Sequence, residues 1–297
     1  MAASERLVLA VALAAVLWPA PLLAQTRTSA LPAEPPLHAW RPEWREFNWE
    51  DYLITSLAAG VVVGGQLWPE DPAGGSEGLP FDETARRVLR VQSERGELYA
   101  RDASDVLMLA AIGYPFLVDS LTVALWHHQN PKVANELALI SAETLAVTSA
   151  LQTTVSGLTN RQRPYGRRCG DELSNETLYC SERNRYRSFF SGHTSISFAS
   201  ASVVCMHHAN IPLYGGSGDQ LVCALGFMNA AAVGTLRVAS DQHYLSDVLM
   251  GAGIGTLTGL AVPWLLHYRP AERRGWTASL ALRVVPLPGG VSVGGEF

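Results

Sequence analysis

The sequence lacks several features that would assign it to common classes of protein. Its 27 acidic residues outnumber its 22 lysines and arginines, which gives a formal net charge of -5. A general nucleic-acid binder needs a basic surface, so that class is excluded. The sequence contains neither a P-loop nor a dinucleotide-binding fingerprint. No Pro/Ser-rich linker divides the 297 residues, which favours one core with short appendages.

Clusters of metal ligands are also scarce. His127-His128 and His207-His208 are adjacent pairs, and adjacent residues on a helix point to different sides. Neither pair therefore predicts a metal site, and we expect no resident metal or other cofactor.

Only four cysteines are present, and four cysteines permit three pairings. Cys169 and Cys180 flank a polar loop, which they could close as a disulfide in an oxidising compartment. Cys205 and Cys223 lie in apolar segments, where buried free thiols are an equally good interpretation. The loop pairing is the one that we predict.

The first 24 residues resemble an export signal. Arg6 supplies a basic start, residues 7–17 are apolar, and the small residue Ala24 precedes Gln25. We expect residues 1–24 to be a signal peptide that is cleaved near Ala24, and an uncleaved membrane anchor is the alternative. Export would carry the chain to the cell envelope, which is an oxidising environment.

Six apolar segments follow an aromatic-rich N-terminal segment at residues 25–50. They occupy residues 53–68, 104–126, 134–158, 194–209, 220–236 and 244–266. Because they are too long for strands, they predict an all-α fold, a six-helix bundle over residues 51–268. The tail at residues 269–297 has two alternating runs about a Pro/Gly turn, which predicts a short β-hairpin-like element.

The hydropathy pattern is compatible with two relations to a membrane. The mean hydropathy of +0.10 is low for a six-span protein, and Asp119, Glu136 and Glu143 would be costly in lipid unless they turned inward. Residues 248–266 are uncharged and repeat glycine every four residues, which suits a closely packed membrane helix. A membrane-embedded bundle and an exported soluble bundle both fit. We favour the first, with its functional face towards the periplasm.

These expectations conflict at one point. If the signal is cleaved and all six segments cross the membrane, the loop at residues 161–187 lies in the cytoplasm, where a disulfide would not persist. A segment that does not cross, an N-terminal stretch of another kind or reduced cysteines would each resolve the conflict.

The loop at residues 161–187 is basic within an acidic chain. It contains seven arginines and four carboxylates, a local charge of +3. Arg161 and Arg163 follow the segment 134–158, and Pro164 ends it, so both guanidiniums are expected at a helix end. Arginine offers a rigid fork of donors that matches phosphate oxygens. Alternatively, these arginines complement the helix dipole or are simply exposed to solvent.

Two further motifs carry histidine. Ser191-Gly192-His193 opens the segment 194–209, where exposed backbone N–H groups could bind an anion and His193 could protonate a leaving oxygen. An ordinary Ser N-cap is the alternative. His243 and Asp247 share a helix face, so the carboxylate could orient the imidazole for nucleophilic attack. The three motifs fall at helix ends, where a bundle could gather them.

The order and spacing of these motifs resemble the type-2 phosphatidic acid phosphatase superfamily, which also contains vanadium haloperoxidases and bacterial acid phosphatases. The resemblance implies that His243 is the nucleophile, that Asp247 orients it and that His193 is the general acid. It also implies a set of phosphate-binding residues, to which the basic loop adds one more: Arg163, Arg237, Ser191, Gly192 and Arg161. Two positions depart from the family pattern, because Ser156 stands in place of a lysine and Phe190 in place of a proline. The loss of a cation at Ser156 implies weaker phosphate binding or a different substrate.

The sequence thus predicts a phosphatase that hydrolyses a phosphate monoester or diphosphate through a phosphohistidine. The resemblance and the apolar helices imply a lipid-linked substrate of the phosphatidic acid or polyprenyl diphosphate type. A vanadate-dependent haloperoxidase is the first alternative, and in that case vanadate would be the cofactor. A non-catalytic envelope protein that binds phosphate or phospholipid headgroups is the second. The sequence does not indicate an oligomeric state.

Overall fold

The computed structural model describes residues 38–69, 75, 78–170, 180 and 185–270, together with the backbone of residues 283–287 and 290–294. The predicted signal peptide at residues 1–24 lies outside these residues, as does the aromatic-rich segment before residue 38. The chain divides into two compact units, Met1–Pro36 and Leu37–Phe297, and all of the described residues belong to the second.

Seven α-helices make up most of the described residues. They are α1 (Trp49–Gly65), α2 (Pro80–Leu89), α3 (Glu94–Tyr114), α4 (Pro131–Thr159), α5 (Gly192–Asn210), α6 (Ser217–Ala239) and α7 (Leu245–Pro263). Helix α3 continues as a π-helical segment, Pro115–His127, and α7 continues as another, Trp264–Tyr268. A 3₁₀ turn, Pro164–Arg168, follows α4. The helical architecture predicted for this region is confirmed.

The structure has seven helices rather than the predicted six, because the prediction omits α2. The six apolar segments correspond to the other helices, whereas α2, with the sequence PFDETARRVL, contains no long apolar run. Pro80 at its first position and Asp82, which accepts a hydrogen bond from the Leu79 amide at 2.8 Å, define its start. Helix α2 packs against α6 and α7 and brings Asp82 and Arg86 to one end of the bundle.

Helix α5 is central and contacts α3, α4, α6 and α7. Its contact with α7 depends on small residues. A Cβ added to Gly251 would lie 2.8 Å from the Ser191 carbonyl oxygen, and one added to Gly255 would overlap the Ser195 backbone. The glycine repeat therefore lets the two backbones approach each other closely, as in membrane helix pairs.

The opposite end of the bundle is held by aromatic packing and buried ion pairs. Trp40 and Trp44 are buried against Tyr268, which follows α7. His267 pairs with Glu143 at 2.9 Å, and Arg45 pairs with Asp51. These contacts tie the segment before α1 to α4 and to the end of α7.

Within the described part of the chain, three helices are long and apolar enough to cross a membrane: Glu94–His127, Ser217–Ala239 and Leu245–Tyr268. Much of their apolar surface faces outward. Leu121, Met228 and Leu257 are more than half exposed in the absence of lipid. Helices with outward apolar faces and inward polar groups suit a membrane-embedded bundle.

Two short strands lie in the tail. Arg283–Leu287 and Gly290–Gly294 pair antiparallel, with Val285 opposite Ser292.

Candidate active site

The predicted motifs meet at the end of the bundle where α4 and α6 finish and α5 and α7 begin. Arg163, in the loop after α4, and Arg237, in the last turn of α6, are linked there through one side chain. Arg163 donates from Nη1 to Gln242 Oε1 at 2.6 Å, and Arg237 donates from Nη2 to the same oxygen at 3.3 Å. The Nε atoms of both arginines are buried and have no hydrogen-bond partner among the described groups. Two cations with unused N–H donors favour the binding of an anion.

His243 lies beside these arginines in the short turn between α6 and α7. Its Nδ1 hydrogen-bonds to the Ser188 carbonyl oxygen at 2.8 Å, which requires the proton to be on Nδ1. Asp247 Oδ2 lies 3.6 Å from the same nitrogen. The backbone carbonyl, rather than the predicted carboxylate, is therefore the direct partner that orients the ring. Nε2 carries the lone pair.

Burial, followed by the charges of Arg163 and Arg237 and the neighbouring His193, lowers the pKa of His243 well below its ordinary value. An imidazolium ion would be desolvated and repelled here, so the ring stays neutral at physiological pH. Shared hydrogen-bond partners link Arg163 to Arg237 through Gln242 and Arg237 to His193 through Asp105, so residues of the three sequence motifs lie together.

His193 occupies the second position of α5. Its Nε2 lies 2.9 Å from Asp105 Oδ1, and the same oxygen accepts from Arg237 Nη1 at 3.0 Å. Burial, reinforced by Arg237, lowers the pKa of His193 to about 4, against the opposing effect of Asp105. His193 is therefore neutral in the empty site at pH 7. Asp105 comes from α3 and belongs to no sequence motif.

The Asp247 carboxylate accepts hydrogen bonds from three groups around the site. Its Oδ2 accepts from Ser188 Oγ at 2.6 Å and from the Tyr244 amide at 2.9 Å, and its Oδ1 accepts from Arg161 Nη1 at 2.5 Å. Through Ser188, Asp247 fixes the backbone carbonyl that orients His243. Asp247 thus acts on the histidine largely through Ser188.

The structure corrects the role predicted for Arg161. Its guanidinium also donates from Nη2 to Asp82 Oδ2 at 3.1 Å and lies 4.2 Å from the centre of the Tyr244 ring. Asp82 and Asp247 are fully or almost fully buried, so they neutralise this arginine in the interior. Arg161 therefore ties α2 to α7 through two buried carboxylates, whereas Arg163 donates to the amide oxygen of Gln242.

Ser191 is the N-cap of α5. Its Oγ accepts from the Thr194 hydroxyl at 2.9 Å, and the residue is fully buried. This is the structural alternative that the sequence left open. Gly192 follows as the first residue of α5, next to Gln152, whose side chain an added Cβ would meet at 3.2 Å. The start of α5 still presents its unpaired N–H groups at this end of the bundle.

No lysine lies near the site among the described residues. Ser156 is buried and donates to the Thr153 carbonyl oxygen within its own helix at 3.1 Å. Arg185 and Arg187 donate to the backbone oxygens of Gly166 and Trp68. Arg183 lies outside the described residues. None of these contacts replaces the cation that the family pattern places at position 156.

Two disulfides are present. Cys169 is joined to Cys180, with their Cα atoms 5.7 Å apart, and Cys205 is joined to Cys223 between α5 and α6. The first closes the basic loop beside the site. The second involves the two cysteines for which free thiols were an equally good interpretation.

One group of possible metal ligands lies elsewhere. Asp51, Glu143 and His267 bring their ligand atoms within 4.8 Å of one another. They form the ion pairs of the opposite end of the bundle, and Glu143 lies roughly 24 Å along α4 from its site-bearing end.

Sequence reasoning missed Gln242, Ser188, Asp105 and Asp82. Gln242 adjoins His243 in the sequence, so its position was a usable signal. Asp105 and Asp82 are close to the site only after folding. Asp105 was recognisable solely as a charged residue within a long apolar segment.

The chain was compared with a family model, a relative of known function and a solved structure. Residues 137–271 match the PAP2 superfamily. The chain is 32% identical over 78 residues to the lipid A 1-phosphatase of Porphyromonas gingivalis, an alignment that covers 26% of this chain and 16% of the relative. A solved structure of a transmembrane PAP2-type phosphatidylglycerolphosphate phosphatase from Bacillus subtilis aligns with 73% of this chain and 94% of its own, at 15% identity and a TM-score of 0.44.

The matched region contains Arg163, Ser191-Gly192-His193, Arg237, His243 and Asp247, which are the residues that build the site described above. Residues 137–271 are thus similar in sequence to the PAP2 superfamily, and this similarity includes the residues of the site.

Proposed function

We propose that this protein is a phosphatase that hydrolyses a phosphate monoester or diphosphate on a lipid, through a phosphohistidine intermediate. One observation carries the proposal. Two buried guanidiniums with unused N–H donors lie beside two neutral imidazoles, and each imidazole is oriented by an acceptor on its other nitrogen. An anion-binding pocket with a nucleophile and an acid is the equipment of phosphoryl transfer.

His243 is the proposed nucleophile. Its Nδ1–H is held by the Ser188 carbonyl, so Nε2 directs its lone pair at phosphorus. In the first step the Nε2–P bond forms and the bond between phosphorus and the leaving oxygen breaks. Arg163 and Arg237 stabilise the charge on the non-bridging oxygens throughout.

His193 is the proposed general acid. Because Nε2 is held by Asp105, Nδ1 is the nitrogen left to protonate the leaving oxygen. The ring is neutral in the empty site, and the negative charge of a bound phosphate raises its pKa so that it takes up a proton.

Water completes the reaction in a second step. Its oxygen attacks phosphorus, the N–P bond breaks, and His193 takes the proton that the water releases. Inorganic phosphate leaves, and His243 returns to its neutral form with Nδ1–H still on Ser188. Each step uses the same pair of histidines in reversed roles.

A lipid substrate is supported by the position of the site. It lies at the end of a bundle in which three helices are apolar enough to cross a membrane, so the headgroup of a lipid could reach it while the acyl chains stay in the bilayer. The names of the relatives, a lipid A phosphatase and a phosphatidylglycerolphosphate phosphatase, also favour a lipid-linked phosphate.

The disulfides support a site that faces the periplasm. Disulfides persist in oxidising compartments, whereas the cytosol keeps thiols reduced. The Cys169–Cys180 bridge lies on the loop next to Arg163, so the loop and the site share one compartment. This orientation requires that not all six apolar helices cross, or that the N-terminal segment is not removed.

The test is an assay of the full-length protein in detergent with phosphatidic acid, a polyprenyl diphosphate, lipid A and a soluble alkyl phosphate. We expect phosphate release from at least one lipid, complete loss in His243→Ala and no change in His127→Ala, a matched variant at an exposed histidine of the opposite end. EDTA should not alter the rate. Acid-labile labelling of the protein by a ³²P substrate, absent in His243→Ala, identifies the phosphohistidine.

Three results would overturn the proposal. Retained activity in His243→Ala would exclude this nucleophile. Tight phosphate or headgroup binding without turnover on any of the four substrates would instead favour a binding protein, and halide oxidation that depends on added vanadate would favour a haloperoxidase.

A further inference from the structure

Gln242 occupies a position that the histidine mechanism does not use. It precedes the proposed nucleophile and is almost completely buried. Its Oε1 accepts from two guanidiniums at once, those of Arg163 and Arg237. Because an amide NH₂ group cannot accept from an arginine, these contacts fix which end of the amide is the oxygen.

The other end of the amide is therefore the NH₂ group. Gln242 Nε2 is buried and has no hydrogen-bond partner among the described groups. A buried donor without a partner is unfavourable. Such a group calls for an explanation, and here Arg163 and Arg237, which share the amide oxygen, also have buried Nε atoms without a partner among the described groups, so three donors cluster at one place.

Because Gln242 is uncharged, it affects anion binding differently from a carboxylate at the same position. Two guanidiniums that share an acceptor repel each other, and a carboxylate would hold them more strongly than an amide does. A carboxylate would also neutralise them and repel an incoming phosphate. A glutamine holds both cations in place while leaving their charge available to an anion.

We propose that Gln242 is a phosphate-binding residue that positions Arg163 and Arg237 through Oε1 and donates from Nε2 to an oxygen of the substrate phosphate. This inference rests on the proposed function and identifies a third donor of the same anion site. The occupant is a tetrahedral oxyanion, for which orthovanadate and inorganic phosphate are the probes.

The experiment measures inhibition by orthovanadate and by phosphate in the full-length protein, with Gln242→Met and Gln242→Glu beside the wild type. Methionine keeps the volume but removes both hydrogen-bonding ends, and we expect vanadate to bind about 10- to 100-fold more weakly. Glutamate keeps the acceptor and adds a charge. We expect a larger loss of vanadate binding in this variant, with a melting temperature equal to or above that of the wild type.

Gln220→Met is the matched control, because Gln220 is exposed near the start of α6, about 25 Å along the helix from Arg237. It should leave vanadate inhibition unchanged. The opposite effects of Gln242→Glu on stability and on anion binding separate a binding role from a structural one.

Unchanged vanadate inhibition in Gln242→Met would overturn the inference, even if its melting temperature fell, because the residue would then serve packing alone. Equal vanadate inhibition of Gln242→Glu and the wild type would do the same. If the wild type itself neither released phosphate nor bound vanadate, the proposed function would fail first.

Discussion

At the scale of single residues, the orientation of the proposed nucleophile depends on neighbours that belong to no sequence motif. His243 is held by a backbone carbonyl, and that carbonyl is held in turn by the hydrogen bond from Ser188 Oγ to Asp247. The predicted His243–Asp247 pair is therefore a three-member chain. Asp105 plays the corresponding part for His193.

The general-acid role of His193 can be tested with leaving groups of different basicity. An alkyl phosphate needs a proton on its leaving oxygen, whereas 4-nitrophenolate leaves without one. We expect His193→Asn to lower kcat on an alkyl phosphate by about 10²- to 10⁴-fold and to affect 4-nitrophenyl phosphate far less. Equal losses on the two substrates would show that His193 does not deliver the proton.

The pH dependence tests the state of His243. Its pKa is lowered well below 6.5, so acidification from pH 7 to 5.5 leaves it neutral and nucleophilic. We expect kcat/KM on 4-nitrophenyl phosphate not to fall across this interval. A decline with an apparent pKa near 6.5 would mean that the ring titrates as it does in water, and the predicted burial effect would be wrong.

Arg161 and Arg163 are predicted to differ in kind, although both belong to one short motif. Arg161→Met leaves Asp82 and Asp247 buried with one cation fewer, which should lower the free energy of unfolding by about 3–5 kcal/mol. Arg163→Met should mainly weaken vanadate inhibition. Denaturant unfolding and inhibition measured on both variants check the contrast, and equal effects on stability would contradict it.

At the scale of elements, helix ends and helix contacts place the chemistry. Arg163 follows the end of α4, and Arg237 lies in the last turn of α6. The proposed nucleophile, His243, lies in the turn between α6 and α7, and the proposed acid, His193, lies at the start of α5. The short polar helix α2 adds Asp82, which accepts from the Ser246 amide at 2.7 Å and so anchors the start of α7. Helix α2 has no long apolar run that would mark it in the sequence, and tertiary contacts decide its place.

The contact between α5 and α7 sets the distance between the two histidines, and its glycines allow a direct test. Gly255→Ala would drive a methyl group into the Ser195 backbone, whereas Gly253 has no heavy atom within 4 Å of an added Cβ. We expect Gly255→Ala to lower both the melting temperature and phosphatase activity. Gly253→Ala should preserve both, since alanine favours the helix. Similar behaviour of the two variants would show that this contact does not control the site.

At the scale of the whole molecule, the fold places a polar site at one end of an apolar bundle and clamps the neighbouring loop with a disulfide. At the far end, the buried ion pairs Glu143–His267 and Arg45–Asp51 join the segment before α1 to α4 and to the end of α7. This division suits an enzyme that reaches a headgroup at a membrane surface.

At this scale we predict that Cys169 and Cys180 are oxidised in the cell. We expect Cys169 and Cys180 to resist alkylation in intact cells and to react only after reduction, because their sulfurs are bonded to each other. A Cys169→Ser/Cys180→Ser variant should weaken vanadate inhibition by loosening the loop next to Arg163. Ready labelling of the wild type without a reductant would argue against a periplasmic site.

The sequence alone predicted the six long apolar helices, since long apolar segments are local properties, but it did not predict α2. It also singled out His193, Arg237, His243 and Asp247 as candidates, because fixed spacing at helix ends is visible in the sequence. Tertiary structure decided that Arg161 pairs with carboxylates, whereas Arg163 pairs with none among the described residues. It also decided that α2 packs against α6 and α7, and that Asp105 and Gln242 contact His193 and the two arginines. These contacts join residues that are distant in the chain, and they distinguish two arginines that look equivalent in the sequence. Only the packed bundle determines which charges are neutralised and which are left for a ligand.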